Sequence, residues 1–381
     1  MQRIIYLNNA ATSYPKPRRV LQRVAELLDE PPFHHARAGF DKKERDALSA
    51  ARVSVAELFN VQNPDRICFS SGATESLNLV LRGSGFEGKH VITTAVEHNS
   101  VLRPLKTMER DHNLSCTIIG CDKFGVVSVA DILSAIREDT AAVVVNHCSN
   151  VTGAVTDIEK IGALTKSYGI PFIVDAAQSA GIYPIDVEKM NIDTLVFTGH
   201  KALGAMQGIG GAYISEKLCP QPIRIGGTGV RSDYPFQPET VPMYYEGGTQ
   251  NIPGAASLAE GIKYINETGM ASIRNYKETL TAYMQKELSL FDRVRCIPGV
   301  HSGMKTTLFS FTVDGMDPAD IGYILEGNFG IVTRTGLHCA PCIHSYTGTL
   351  QQGTVRISPS GFTTEADACT FIEAMKQINA M

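Results

Sequence analysis

Short apolar runs alternate with amphipathic stretches through the middle of the chain, the pattern of βαβ units around a largely parallel sheet. Strands are expected at Ile67–Phe69, His90–Thr94, Cys116–Ile119, Ala141–Asn146, Phe172–Asp175, Thr194–Thr198 and Gly211–Ser215. Helical patterns lie between several of them, as at Glu75–Arg82 and Ile158–Tyr168. The runs Ala141–Val145 and Pro171–Asp175 are apolar on both faces, which suits strands covered by helices on either side. From about Gly254 the texture changes. A long helical stretch, Ala255–Leu288, leads to a strand at Leu308–Val313, and a helix at Pro318–Gly327 follows. Strands near Ile331–Arg334 and Thr354–Ser358 and a last helix at Glu365–Ile378 complete the pattern. The expected fold class is α/β: a large, doubly wound, mostly parallel sheet domain over 15–253 and a smaller α/β domain from 1–14 and 254–381. The Pro/Gly-rich stretch Pro220–Pro253 has little periodicity and reads as a surface excursion at a site rim or a subunit contact.

Composition narrows the function classes. Hydrophobic residues make up 43% of the 381 and charged residues 19%, enough for a sizeable core. Lys+Arg 35 against Asp+Glu 39 leaves a net charge of -4 with no block of like charges, which argues against nucleic acid or an anionic membrane as partner. No apolar run approaches the ~18 residues of a membrane span. Ile4 to Leu7, followed by Asn8 and Asn9, is too short for a signal-peptide core. The nine cysteines are Cys68, Cys116, Cys121, Cys148, Cys219, Cys296, Cys339, Cys342 and Cys369. An odd number without a secretion signal points to a reduced, cytoplasmic protein whose thiols are mostly small buried hydrophobes.

Three segments carry chemistry. Ser70-Ser71-Gly72-Ala73-Thr74-Glu75 follows a strand and opens a helix, where free N–H groups and the Thr74 hydroxyl suit an anion; an ordinary capped helix start looks similar. Asp175 ends an apolar strand, at the sheet edge where open α/β sheets place ligands, and a helix cap is the plainer alternative. Lys201 follows the buried strand Thr194–Thr198 and His200; an amine held there is partly desolvated and competent for Schiff-base chemistry, whereas a surface lysine would snorkel. Taken together, a phosphate cup, a carboxylate and an amine at strand ends are what pyridoxal 5′-phosphate requires.

The order of cup, Asp and Lys resembles the fold-type I PLP-dependent enzymes. The wording from Tyr6-Leu7-Asn8-Asn9-Ala10-Ala11-Thr12 to Arg356 resembles their class V aminotransferase branch, specifically the cysteine desulfurase/selenocysteine lyase family. The resemblance implies that Ala73, Thr74, Thr198 and His200 bind the cofactor phosphate. Thr249, in Glu246-Gly247-Gly248-Thr249, reaches the phosphate from the other subunit of a homodimer. His98 stacks on the pyridine ring and moves protons, and Asn150 sits beside the phenolic oxygen and the substrate. Asp175 keeps the ring nitrogen protonated, Gln178 bonds the phenolic oxygen, and Lys201 takes the aldehyde. Arg356, in Thr354-Val355-Arg356-Ile357-Ser358, grips the substrate carboxylate with a guanidinium fork, and Arg334 is a second substrate contact.

Cys339, in Arg334-Thr335-Gly336-Leu337-His338-Cys339-Ala340-Pro341, matches the family's nucleophile on a short catalytic loop, with Arg334 and His338 expected to favour the thiolate. Leu337 departs from the pattern, since a second His is frequent there. Cys342 completes a Cys339-Ala340-Pro341-Cys342 motif flanked by His338 and His344, which also reads as a zinc site or a redox dithiol. A relay of sulfur from Cys339 to Cys342 is a further reading. The implied activity is conversion of L-cysteine to L-alanine with the sulfur left on Cys339 as a persulfide, destined for an acceptor protein. The alternatives are a selenocysteine lyase acting on L-selenocysteine, or an aminotransferase or lyase acting on another amino acid.

Overall fold

The computed structural model describes residues 3–30, 42–299 and 302–381. The first half of the chain forms β1 (Ile5–Tyr6), α1 (Arg18–Asp29), α2 (Lys42–Phe59), β2 (Ile67–Ser70), α3 (Ala73–Gly83), β3 (His90–Thr94), α4 (Asn99–His112) and β4 (Ser115–Ile119). Next come α5 (Val129–Ser134), β5 (Thr140–Asn146), α6 (Ile158–Tyr168), β6 (Phe172–Asp175), β7 (Thr194–Thr198) and β8 (Gly210–Ile214). Strands β2 to β8 build one seven-stranded sheet in the order β2-β8-β7-β6-β5-β3-β4. The strands from β4 across to β7 run parallel, so their carboxyl ends share one edge, with Asn146 beside Asp175 in register. β8 departs from the parallel pattern. It runs antiparallel to both β7 and β2, because no helix intervenes in the connection from Thr198 to Gly210. Gly211 has no room for a side chain, since a Cβ there would meet the Cys68 carbonyl oxygen at 2.5 Å.

The second half continues with α7 (Ile252–Thr268), α8 (Met270–Leu288), β9 (Val294–Ile297), β10 (Phe309–Val313), α9 (Pro318–Phe329), β11 (Ile331–Val332), β12 (Arg334–Gly336), α10 (Pro341–Thr347), β13 (Thr354–Ile357) and α11 (Glu365–Asn379). β12-β13-β10-β9 form an antiparallel sheet, and β1 pairs with β11. The single long helix expected over Ala255–Leu288 is two helices, broken where Gly269 takes φ 87 and ψ 115, a conformation open to glycine and outside the helical well. The strand expected at Ile331–Arg334 is likewise divided at Thr333 between two sheets.

Two cores result. Helices α8, α9 and α11 pack Leu280, Met284, Leu325 and Phe371 against Phe309 and Phe311 of the small sheet, and the N-terminal Ile5 and Leu7 join them. The large sheet's core takes in Ala255, Leu258, Ile262 and Ile265 of α7, so that helix packs with the sheet although it lies beyond residue 253. The stretch between β8 and α7 has no helix or strand, and Ile225 and Phe236 are exposed on it. Among the described residues no helix is long and apolar enough to cross a membrane.

Candidate active site

A cavity of about 510 Å³ opens at the carboxyl edge of the large sheet, walled by Ala73, Thr74, His98, Asn150, Asp175, Gln178, Thr198, His200, Lys201, Arg334 and Arg356. The expected residues therefore converge, apart from Thr249 and Cys339. Parallel strand ends explain the convergence: β6 delivers Asp175, β7 delivers Thr198 to Lys201, and the turns after β2 and β3 start α3 and α4. Gly72 precedes α3 with φ 154, backed by the Thr198 hydroxyl, and leaves the first turn of α3 facing the cavity.

Asp175 is 1% exposed, and the Ala177 N–H donates to its Oδ1 at 2.8 Å. Burial raises its pKa, while that hydrogen bond and Lys201 act the other way. Lys201 is pushed down to about 8, first by burial and then by Arg356 and Arg334, with Asp175 and Cys339 opposing. His98 caps α4: its Nδ1 accepts from the Ser100 N–H at 3.1 Å, so Nε2 carries the proton of the neutral ring. Burial, then Lys201 and Arg334, push His98 down to about 4.

Arg356 is 0% exposed on β13 and has no carboxylate partner among the described residues. Its Nη1 donates to the Asn150 carbonyl at 2.9 Å and its Nη2 to Asn8 Oδ1 at 3.2 Å. Burial first and then Arg334 lower its pKa, to about 9, with Cys339 and Tyr6 opposing. A buried guanidinium without a counter-ion is costly unless an anion completes it. Gln178 Nε2 donates to the Ala10 carbonyl at 2.8 Å. His200 Nδ1, Asn150 Oδ1 and Arg356 Nε are buried without partners among the described residues, so this wall has polar capacity to spare. Helix start, hydroxyl, buried carboxylate and depressed lysine together suit the phosphate, ring nitrogen and aldehyde of pyridoxal 5′-phosphate.

Cys339 lies at a seam. It lines a neighbouring groove of about 380 Å³ instead of the cavity, and Thr74, His98 and Ser100 line both. His338 and Cys339 take left-handed φ values of 50 and 59. Asn150 Nδ2 donates to the His338 carbonyl at 2.6 Å, and the Asn99 N–H donates to the Cys339 carbonyl at 2.7 Å, which pins the turn. Arg334 Nη2 donates to Cys339 Sγ at 3.2 Å.

Residues 5–371 match the family model "Aminotransferase class-V". A probable cysteine desulfurase of Synechocystis sp. is 31% identical over 98% of this chain and 90% of its own length. Another, of Methanothermobacter thermautotrophicus, is 30% identical over 99% and 95%. The solved apo structure of a cysteine desulfurase from Thermococcus onnurineus NA1 superposes with a TM-score of 0.90 at 30% identity, covering 99% of this chain and 95% of that one. The chain belongs to the class V aminotransferases, in their cysteine desulfurase family.

Against that family pattern, some expectations change. His338 adds no positive charge beside the thiol: it is buried, its pKa lies well below the ordinary value, and its Nε2 meets the Thr354 hydroxyl at 2.8 Å. Among the described residues, Arg334 is the hydrogen-bond partner of the sulfur. His344 Nδ1 likewise meets Thr349 at 2.7 Å. Among the described residues no group of three His, Cys, Asp or Glu is spaced to hold a metal. Cys342 is a free, half-buried thiol raised by burial. Not every other cysteine is a packing residue. Cys219 and Cys369 are exposed, in the loop after β8 and on the outer face of α11. Thr249 is exposed and lies outside the cavity of its own chain.

Sequence reasoning missed two buried acids of this cysteine desulfurase family member. Glu97, directly before His98, accepts from Thr94 Oγ1 at 2.6 Å and from the Asn146 N–H at 2.7 Å, tying the end of β3 to the end of β5. Burial raises it to about 8. Glu246 accepts from Arg52 and from the Phe69 N–H, fixing the start of the Gly247-Gly248-Thr249 segment to β2. Glu97 adjoins a motif histidine and Glu246 opens a motif, the one signal that could have marked either.

Proposed function

We propose that the protein is a PLP-dependent cysteine desulfurase that converts L-cysteine to L-alanine and keeps the sulfur on Cys339 as a persulfide. The observation that carries it is Arg334, which walls the cavity and also donates to Cys339 Sγ, joining the amino-acid site to a thiol. When bound, pyridoxal 5′-phosphate supplies an electron sink for the α-carbon of an amino acid. The chain's own residues do the rest. Ala73, Thr74, Thr198 and His200 would hold the phosphate, and Asp175 would keep a proton at the ring nitrogen. His98 would line the site of the ring, and Gln178 would offer its amide to the phenolic oxygen.

Arg356 binds the substrate carboxylate with Asn150 and Arg334 beside it. Lys201, whose depressed pKa leaves a usable fraction neutral near pH 7, takes the α-proton and returns it. Cys339 as thiolate attacks the substrate sulfur: the new S–S bond forms as the Cβ–S bond breaks, and the β-carbon gains a proton to leave as alanine. In a homodimer Thr249, exposed on its own chain, serves the partner's phosphate, and the exposed Ile225 and Phe236 support a subunit contact there. The large domain spans 15–253 and the small one 1–14 with 254–381, with α7 of the latter packed into the large sheet's core. Nine unpaired cysteines support a cytoplasmic setting, and a sulfur-acceptor protein takes the persulfide.

The test is an amino-acid screen that measures alanine with sulfide or selenide release in dithiothreitol. Alanine and sulfide from L-cysteine, lost in Cys339→Ala, are expected. Wild-type sulfide release by Cys339→Ala, or keto acid without sulfide, overturns the proposal; activity of that variant on L-selenocysteine alone identifies a lyase.

A further inference from the structure

We propose that the groove between α3 and α4 admits a second sulfur acceptor beside the acceptor protein, a small thiol bearing carboxylates; this rests on the desulfurase function above. Cys339 lines this groove, of about 380 Å³, together with Arg82 of α3 and Arg103 of α4. Neither arginine is hydrogen-bonded or ion-paired among the described residues, and both are exposed. Neighbouring cations are neutralised: Lys106 pairs with Glu109, Arg110 with Asp111 and Arg224 with Glu75. Among the described residues no carboxylate lines the groove. Two free guanidinium forks flanking a thiol are complementary to carboxylates, and the volume is that of a small-molecule cleft. An acceptor arriving here meets Cys339 without entering the cavity that holds the amino acid.

The transfer balances without an added oxidant. The acceptor thiolate attacks the terminal sulfur of the Cys339 persulfide, the S–S bond to Cys339 breaks, and its electron pair leaves on the Cys339 sulfur. The acceptor departs as a persulfide.

The full-length holoenzyme is assayed for persulfide discharge by mercaptosuccinate, 2-mercaptoethanol and cysteamine, at low and high salt, with rates corrected for thiolate fraction. Wild type is expected to prefer the dianion to the cation by about tenfold or more, with the preference collapsing at high salt. Arg82→Glu with Arg103→Glu should abolish or invert the order. Equal rates for the three thiols, or an order unchanged in the double variant, overturn the proposal. The acceptor-free burst of alanine separates the two levels: a burst without charge preference defeats only the groove, whereas no burst defeats the desulfurase function. A readout that needs no turnover is alkylation of Cys339 by iodoacetate against iodoacetamide, followed by peptide mass spectrometry. The anion's advantage should fall several-fold in the double variant; an unchanged ratio counts against the groove.

Discussion

The Arg334 guanidinium donates to Cys339 Sγ at 3.2 Å, while the same residue walls the cavity that holds Lys201 and Arg356. A hydrogen bond to a charged partner contributes about 1.5–3 kcal/mol, and 1.4 kcal/mol is a factor of ten. His338, buried and neutral beside Thr354, cannot replace it. Arg334→Ala should therefore slow iodoacetamide alkylation of Cys339 at pH 7.5 by about tenfold, and Arg334→Lys should recover part of the loss. Quantified peptide mass spectrometry of timed samples reads the rate. An equal rate in Arg334→Ala means the contact does not activate the thiol.

Lys201 makes a prediction about pH. Only the neutral amine attacks an aldehyde, and a lysine at the ordinary value of about 10.4 gains neutral fraction until well above pH 10. With Lys201 lowered to about 8 by burial, half the amine is already neutral near pH 8. The rate at which apo protein takes up pyridoxal 5′-phosphate, followed by visible absorbance, should climb between pH 6 and about pH 9 and level off above. Asp175→Asn removes the opposing charge and should move the plateau to lower pH. A rate still climbing at pH 10 would show an ordinary, solvated lysine. Lys201→Ala should develop no such absorbance.

Much of this site was legible because strand ends are legible. The expected Phe172–Asp175 and Thr194–Thr198 match β6 and β7 residue for residue, and in a parallel sheet a residue at the carboxyl end lands at the ligand edge. What was not legible depends on distant partners or on backbone torsions. The helical period runs through Gly269 unchanged, so the break between α7 and α8 leaves no mark in the hydrophobic pattern. Ile331–Arg334 looks like one strand because nothing local reveals that its halves pair with β1 and β13. Cys339 turns to the groove through the left-handed φ values at His338 and Cys339, which neither residue type announces. Arg52 and Glu246 stand 194 positions apart, and each alone reads as a surface charge.

That pair governs stability more than chemistry. Arg52 is 8% exposed and Glu246 4%; Nη1 donates to Oε1 at 2.7 Å, Nη2 to Oε2, and the Phe69 N–H shares Oε1 at 2.6 Å. Removing one partner strands a buried charge, at a cost of about 3–5 kcal/mol. Glu246→Ala should lower the thermal midpoint clearly, whereas Arg52→Met with Glu246→Leu should recover most of the loss. If the double variant melts no higher than Glu246→Ala, the loss comes from packing or the Phe69 contact instead of the stranded guanidinium.

Glu97 offers a prediction whose sign is set by linkage. Its folded pKa of about 8 lies above the unfolded value of about 4.3, so the native state holds the proton more tightly. The stability this supplies is complete below about pH 4 and is lost as pH rises towards 8. Glu97→Gln keeps an oxygen for Thr94 Oγ1 and the Asn146 N–H, and places its amide where Oε2 has no partner. It carries no charge to bury at any pH. Its melting temperature relative to wild type should therefore rise steadily from pH 5 to pH 8. Glu97→Ala leaves the Asn146 N–H without its acceptor, so it should lie below Glu97→Gln by about 1–3 kcal/mol at every pH while drifting against wild type in the same direction. A constant offset for Glu97→Gln between pH 5 and 8 would mean that the carboxyl is already ionised in the fold, tying β3 to β5 as a charge rather than as a neutral acid.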